Sequence, residues 1–225
     1  MNNKNLLLFL LLFYLAGCTS GEEKKVQEIR TETEAIDSLN ALQEEPVRKA
    51  GSSTADTLTF EVAFQQFFNA LQSADTTKLN QFIHPQSGLW VIEQPGAMPK
   101  MTRITDIRLF KREYQGRSFF TITEELKSCE LLEEPFPAFD CAVMEGGKTG
   151  YAKDGCFVWK PEKFKTSGYW NYASLSETEI KQVNASFPNV LSSVLHTQTS
   201  FEFHFGYLGG HWRVLFAKII YPCSA

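Results

Sequence analysis

Near the end of the chain, Phe201, Phe203 and Phe205 alternate with Glu202, His204 and Gly206. After Gly209-Gly210, Trp212, Val214 and Phe216 alternate in the same way. A period of two marks a strand with one buried face. Paired glycines supply both positive-φ positions of a two-residue hairpin turn. Such a turn sets position 208 opposite 211, so Phe205 is expected opposite Val214 and Phe203 opposite Phe216. Apolar partners meet in that register, which supports it. On one strand face of this hairpin Glu202 and His204 are neighbours, with Arg213 diagonal to His204.

Upstream the period changes. Between Thr59 and Ala74, Phe60, Phe64, Phe67, Phe68 and Leu71 form one wide helical stripe. Asp75 is placed to cap a short second helix carrying Leu79, Phe82 and Ile83, and His84-Pro85 stops it. Gly88–Glu93 reads as a strand ended by Pro95-Gly96. The spacing of Ile104, Ile107 and Phe110 predicts a third helix over 102–111, and Ser118–Thr123 reads as a strand. Glu133–Asp140, with Pro135 and Pro137, reads as loop, and Cys156–Lys160 as a short strand. Ser176-Glu177-Thr178-Glu179 fits a capping box that opens a helix with Ile180 and Val183 on its face, ended by Pro188.

Helices first and a hairpin last predict an α+β domain, with N-terminal helices packed on a curved antiparallel sheet. Its extent follows from the aromatics. Seventeen of the 19 phenylalanines and all four tryptophans lie between positions 60 and 216. Residues 58–225 thus form a single domain large enough for a genuine core. With 16 basic and 17 acidic residues it is nearly neutral. It carries no basic stripe to attract phosphates, so nucleic acid is not an expected partner.

Phe60–Val91, with its long amphipathic helix, short helix and strand, resembles the start of an NTF2-like (cystatin-like) domain. Phe201–Tyr221 resembles that fold's last two strands. The resemblance implies ligands held between sheet and helices. Phe82-Ile83-His84-Pro85, Phe139-Asp140-Cys141 and Cys223-Ser224-Ala225 are similar to an uncharacterised family of exported bacterial proteins, from which no activity carries over. Residues 127–175 match nothing in the NTF2-like pattern.

The first 57 residues have another character. Lys4 precedes an unbroken apolar run, Leu6–Leu15, too short to cross about 30 Å of hydrocarbon and suited to the core of a signal peptide spanning residues 1–17. Leu15-Ala16-Gly17-Cys18 resembles a lipobox. That resemblance implies acylation of Cys18, cleavage before it, and attachment to a membrane by several chains, each buried methylene contributing about 0.8 kcal/mol. Thr19, where many inner-membrane lipoproteins carry aspartate, leans toward the outer membrane, periplasmic or surface-facing. Residues 18–57 read as the lipidated cysteine and a charged tether: positions 19–57 hold nine acids, five bases and no Phe, Trp or Tyr. Such composition buries too little apolar surface to offset chain entropy. Val26, Ile29, Ile36, Leu39 and Leu42 come close to helical spacing, which leaves a partner-binding helix open as an alternative.

After Cys18 four cysteines remain, Cys129, Cys141, Cys156 and Cys223. An even count in an oxidising compartment favours disulfides. Cys141–Cys223 would tie the C-terminal residues to the 133–160 loop region, leaving Cys129–Cys156 as the second bridge. Their spacings suit no structural zinc site, and no metal or cofactor is expected.

No nucleophile elbow, metalloprotease helix or dinucleotide fingerprint is present. Gly146-Gly147-Lys148-Thr149 has the tail of a phosphate loop, but Ala142 stands where the pattern needs glycine, and it reads as a surface turn. The best constellation is therefore Glu202, His204 and Arg213. A carboxylate beside an imidazole can make a general base, and an arginine can hold a ligand carboxylate. The competing reading is a polar ladder facing solvent. His84 is expected to cap or shape a loop, and Asp106 to be a solvated helix residue. Trp90, Trp159, Tyr169 and Trp170 are candidates for sugar stacking or for core. The expectation is an envelope-anchored binding or interaction module, whose partner is an envelope protein or a small ligand. The alternative is a small NTF2-like enzyme with Glu202 and His204 as its acid/base pair.

Overall fold

The computed structural model describes residues 59–113, 119–124, 126 and 128–223. The segments expected to be a signal peptide (1–17) and a lipidated cysteine with its tether (18–57) lie outside them. The elements are α1 (Phe60–Gln72), α2 (Thr76–Asn80), β1 (Leu89–Glu93), β2 (Lys100–Ile104), β3 (Leu131–Glu133), β4 (Cys156–Trp159), α3 (Glu162–Lys165), α4 (Glu177–Ser186), β5 (Ser192–His196), β6 (Phe201–Leu208) and β7 (His211–Lys218). The fold is mixed α+β around one seven-stranded sheet of order β2-β1-β7-β6-β5-β4-β3. No helix among the described residues is long and apolar enough to cross a membrane.

Local chemistry sets the helix starts. The Thr59 side chain accepts from the Val62 N–H to open α1, and the Asp75 carboxylate accepts from Lys78 N to open α2. Ser176 and Glu179 close both halves of the capping box at α4. α1 lays Phe64, Phe67, Phe68 and Leu71 against Val194, Phe203, Phe205, Val214 and Ala217 of the sheet. Each such ring contributes on the order of 1.5–3 kcal/mol.

Three expectations are corrected here, and one strand is added. The sheet is mixed and not wholly antiparallel, because β1 runs parallel to β7, and β3 to β4. The helix expected over 102–111 is instead β2, paired antiparallel with β1, followed by a 3₁₀ turn at Ile107–Leu109. That turn still buries Ile107, with Phe110 just beyond it, since a spacing of three suits a 3₁₀ helix as well as an α-helix. The strand expected over 118–123 is a 3₁₀ helix, Phe119–Glu124, that turns Phe119 and Ile122 into the core. Finally, β5 went unrecognised, although it is paired antiparallel with both β4 and β6.

β6 and β7 run antiparallel across Gly209 and Gly210, both at positive φ. Phe205 faces Val214 as expected, but Phe203 faces Ala217, and Phe216 faces His204. A bulge adds one residue to β7 between these pairs, and by position that residue is Leu215. Val214 and Ala217 therefore keep to the α1 side, while Leu215 and Phe216 both join a second core with Trp90, Ile92, Phe164 and Val183. That core lies under α3, α4 and the turns between them. The sheet is thus covered on both faces, and all five residues of β1 are buried. At Gly206 the cover comes close to the sheet: a Cβ there would collide with the Asn189 carbonyl.

Candidate functional site

The bulge decides what surrounds Glu202 and His204. Both side chains project to the second face, where β5 and β7 flank β6. Ser193 stands opposite His204, and Lys218 opposite Glu202. The Ser193 hydroxyl lies 2.7 Å from His204 Nδ1, and His204 Nε2 lies 3.7 Å from a Glu202 oxygen. Lys218 Nζ donates to the other Glu202 oxygen at 2.5 Å. Phe164 from α3 stacks on the imidazole at 3.5 Å between ring centres. Tyr169, in the turn after α3, sets its ring 5.5 Å from Lys218 Nζ.

Burial fixes the protonation states. It pushes the His204 imidazole well below the ordinary histidine range, and the Lys218 ammonium adds to that. Burial also works to strip Lys218 of its proton, but the Glu202 charge and the Tyr169 hydroxyl outweigh it and hold the ammonium above its usual range. At neutral pH the cluster is a neutral imidazole beside a closed ion pair. A proton on Nε2 points toward Glu202 across 3.7 Å, too far for a hydrogen bond, and leaves Nδ1 to accept from Ser193.

Serine, imidazole and carboxylate in this order resemble the parts of an activated nucleophile. Their setting differs. Ser193 is 1% exposed and His204 0%, and neither lines the clefts at Cys129–Cys156, between α1 and α2, along β2 or at the β6–β7 tip. The face is neither the solvent-facing ladder nor the open pocket that sequence reasoning weighed.

Arg213 does not join the pair. It stands opposite Gly206, and its guanidinium donates to the Gln81 carbonyl at the end of α2. Two residues that sequence reasoning missed, Ser193 and Lys218, complete the cluster in its place. Lys218 carried no signal, since its pairing with Glu202 depends on the bulge. Ser193 would have emerged only once β5 was seen as the partner of β6.

The cysteines lie in two pairs at disulfide distance, Cys141 with Cys223 (Cα–Cα 5.9 Å) and Cys129 with Cys156 (Cα–Cα 5.2 Å). Beside the second pair is a cleft of about 230 Å3. Its wall includes His196, whose ring nitrogens are engaged by Thr199 Oγ1 at 2.9 Å and the Ser128 carbonyl at 3.1 Å. That histidine is a staple between strand and loop. Among the described residues no group of three or more His, Cys, Asp or Glu side chains is placed to hold a metal.

The other candidates have structural places. His84 Nδ1 accepts from the N–H groups of Gln86 and Ser87, shaping the loop before β1. Asp106 caps the 3₁₀ turn and takes bonds from Arg108 and Asn80, which hold its carboxyl well below the usual range. Gly146 and Gly147 form an exposed turn at positive φ. Trp90 is core, Trp170 packs on Phe187 at 4.1 Å, and Trp159 is exposed beside Lys160. No known protein-family model, curated protein or solved structure matches the chain.

Proposed function

We propose that the chain is a lipoprotein of the bacterial cell envelope, anchored through Cys18 and most consistent with the outer membrane. In this reading residues 19–57 are a tether that holds a non-enzymatic binding or interaction module off the bilayer. The single observation that carries the reading is the cysteine arrangement. All four cysteines of the domain stand in pairs, which suits a compartment that oxidises thiols and agrees with the export signal expected at residues 1–17. The fold is read as an elaborated NTF2-like domain. α1, α2, β1 and the β6–β7 pair supply the resembling part, and residues 161–190 add a cover on the sheet's other face.

The test is fractionation of cells making the wild-type chain and Cys18→Ser. The wild type is expected in the membrane fraction at the mass of the processed form, with Cys18→Ser as unprocessed precursor lacking the lipid. Unchanged processing and membrane association in Cys18→Ser would overturn the anchor. Intact mass after alkylation with and without reductant checks the compartment, because four thiols alkylated without reductant would remove its support.

A second reading, a small enzyme using Glu202 and His204 as acid/base pair, draws on the 2.7 Å Ser193–His204 contact. Against it stands the complete burial of His204, since a general base must reach its substrate's proton. Labelling of Ser193 by a fluorophosphonate probe, abolished in His204→Gln with the fold intact, would reverse the order of the two readings.

A further inference from the structure

The side of the domain away from the buried cluster carries two clefts that share Gln66, Gln81 and Phe82. One, of about 510 Å3, runs between α1 and α2 and adds Asn69, Ser73 and Lys78 to those walls. The other, of about 260 Å3, reaches the tip of β6 and β7, where Tyr207, His211 and Trp212 line it. Together they form one groove, polar along the helices and aromatic at the strand tip.

Three features define what fits. First, Gln66 and Gln81 are exposed, and among the described residues neither side-chain amide is spent on an internal hydrogen bond. Each amide offers two donors and an acceptor from one planar group. Second, the aromatic end is braced. Tyr207, 36% exposed, lies edge-on to Trp212 at 5.6 Å, and Trp212 is held by Phe60 at 4.8 Å. The Tyr207 hydroxyl donates to the Gly210 carbonyl at 2.8 Å, which fixes the ring in place. Third, the charge is spent. Lys78 is the one lysine or arginine lining either cleft among the described residues, and it is paired with Asp75 at 3.4 Å. A phosphate or sulfate would find no unpaired cation.

Free planar amides beside a rigid aromatic surface, without net charge, match a pyranose chain. Its C–H face packs on an aromatic ring, and its hydroxyls both donate and accept. We propose that this groove binds a neutral oligosaccharide, with one ring against Tyr207 and Trp212 and the next hydroxyls on Gln66 and Gln81. The proposal rests on the reading of the chain as a binding module and names its site and ligand class. It moves the sugar platform away from Trp90, Trp159, Tyr169 and Trp170.

The test titrates the full mature chain, in detergent, with chitotetraose, cellotetraose and maltotetraose, following heat and tryptophan fluorescence. Saturable binding of at least one sugar is expected. Tyr207→Ala and Gln66→Ala are each expected to weaken it about ten-fold. Gln66→Ala should leave Tm unchanged because its side chain is exposed, and Tyr207→Ala should lower Tm slightly, through its lost contacts to Trp212 and Gly210, while the chain stays folded. Asp75→Asn, which frees Lys78, is expected to let sulfated dextran compete. The proposal is overturned if none of the three sugars binds, or if binding survives both alanine variants at wild-type strength. The same preparations, fractionated with Cys18→Ser, separate the two failures. An anchored chain that binds no sugar ends the groove proposal alone, whereas sugar binding by a chain that Cys18→Ser leaves unchanged ends the anchor alone.

Discussion

On the side of the sheet that α1 covers, Phe67 meets Phe82, Phe203 and Phe205 edge to face, with ring centres 5.1–5.6 Å apart. On the other side, the same strand β6 presents Glu202 and His204 to Lys218 and Ser193. One strand thus serves two cores. The first is apolar where helix and sheet meet and depends on area and shape alone. The second sets a polar row among Trp90, Phe164 and Phe216, and each polar group there must find a partner or cost its full desolvation. The two faces therefore fail differently: the first by losing volume, the second by losing one member of a pair.

The largest effect is expected on the first face. Phe67 is 1% exposed and central to the ring cluster, so Phe67→Ala should cost about 3–5 kcal/mol, read as a fall in urea midpoint with little change in slope. A loss under about 1 kcal/mol would mean that α1 does not hold the core as described. The second face should respond to pairing rather than to size. Lys218→Met keeps the volume but strands the Glu202 charge. Removing one partner of a buried pair costs about 3–5 kcal/mol; with 15–17% of each side chain exposed here, about 2–3 is expected. Glu202→Leu added to Lys218→Met should restore most of that, because no charge is then left alone. If the double variant is as weak as the single, the pair serves by shape, and the contrast between the faces breaks down.

What could be read from the sequence follows the same division. The α1 stripe and the Phe201–Phe205 alternation each carry their own period, and the caps at Thr59, Asp75 and Ser176 are local, so these elements were legible. The second face depends on tertiary choices that no period records. The bulge adds Leu215 and shifts Phe216 across the sheet, because the α1 side already has its rings and the cover from 161–190 needs large apolar groups beneath it. β5, Ser-Ser-Val-Leu-His, is too short and too mixed to announce itself. Glu202 and His204 are neighbours as expected, and Arg213 keeps its expected partner Gly206, but the bulge sets it one residue farther along β7 from His204's partner, and its guanidinium goes to Gln81. The site was half legible for that reason.

Acid should also act on the second face through His204, and on the α1 side through His196, which shares the parity of Val194. Burial, then Lys218, depresses the His204 titration, and burial depresses that of His196. In the unfolded chain both histidines titrate near about 6.5. Between that pH and their lower folded values, the unfolded state binds more protons, so stability falls as pH drops below about 6.5 and stays level just above it. Urea midpoints at pH 7.5, 6.0 and 5.0 should show this, with a shallower fall in His204→Gln. An identical fall in that variant would place the acid sensitivity elsewhere.

The smallest expected effect tests whether the faces are independent. Phe67 and Lys218 belong to opposite layers, and neither is in the other's set of contacts. Their substitutions should then add, the Phe67→Ala, Lys218→Met double variant losing the sum of the two single losses to within about 0.5 kcal/mol. The route by which they would fail to add is the β6–β7 bulge, since Phe203 and Phe205 flank His204 in sequence and the extra residue fixes which side each strand residue faces. A coupling above about 1 kcal/mol would show that a cavity under α1 lets β7 slip its register and carries Lys218 away from Glu202. The bulge would then be a shared hinge of the two cores, and the polar cluster would be held in place by the aromatic one.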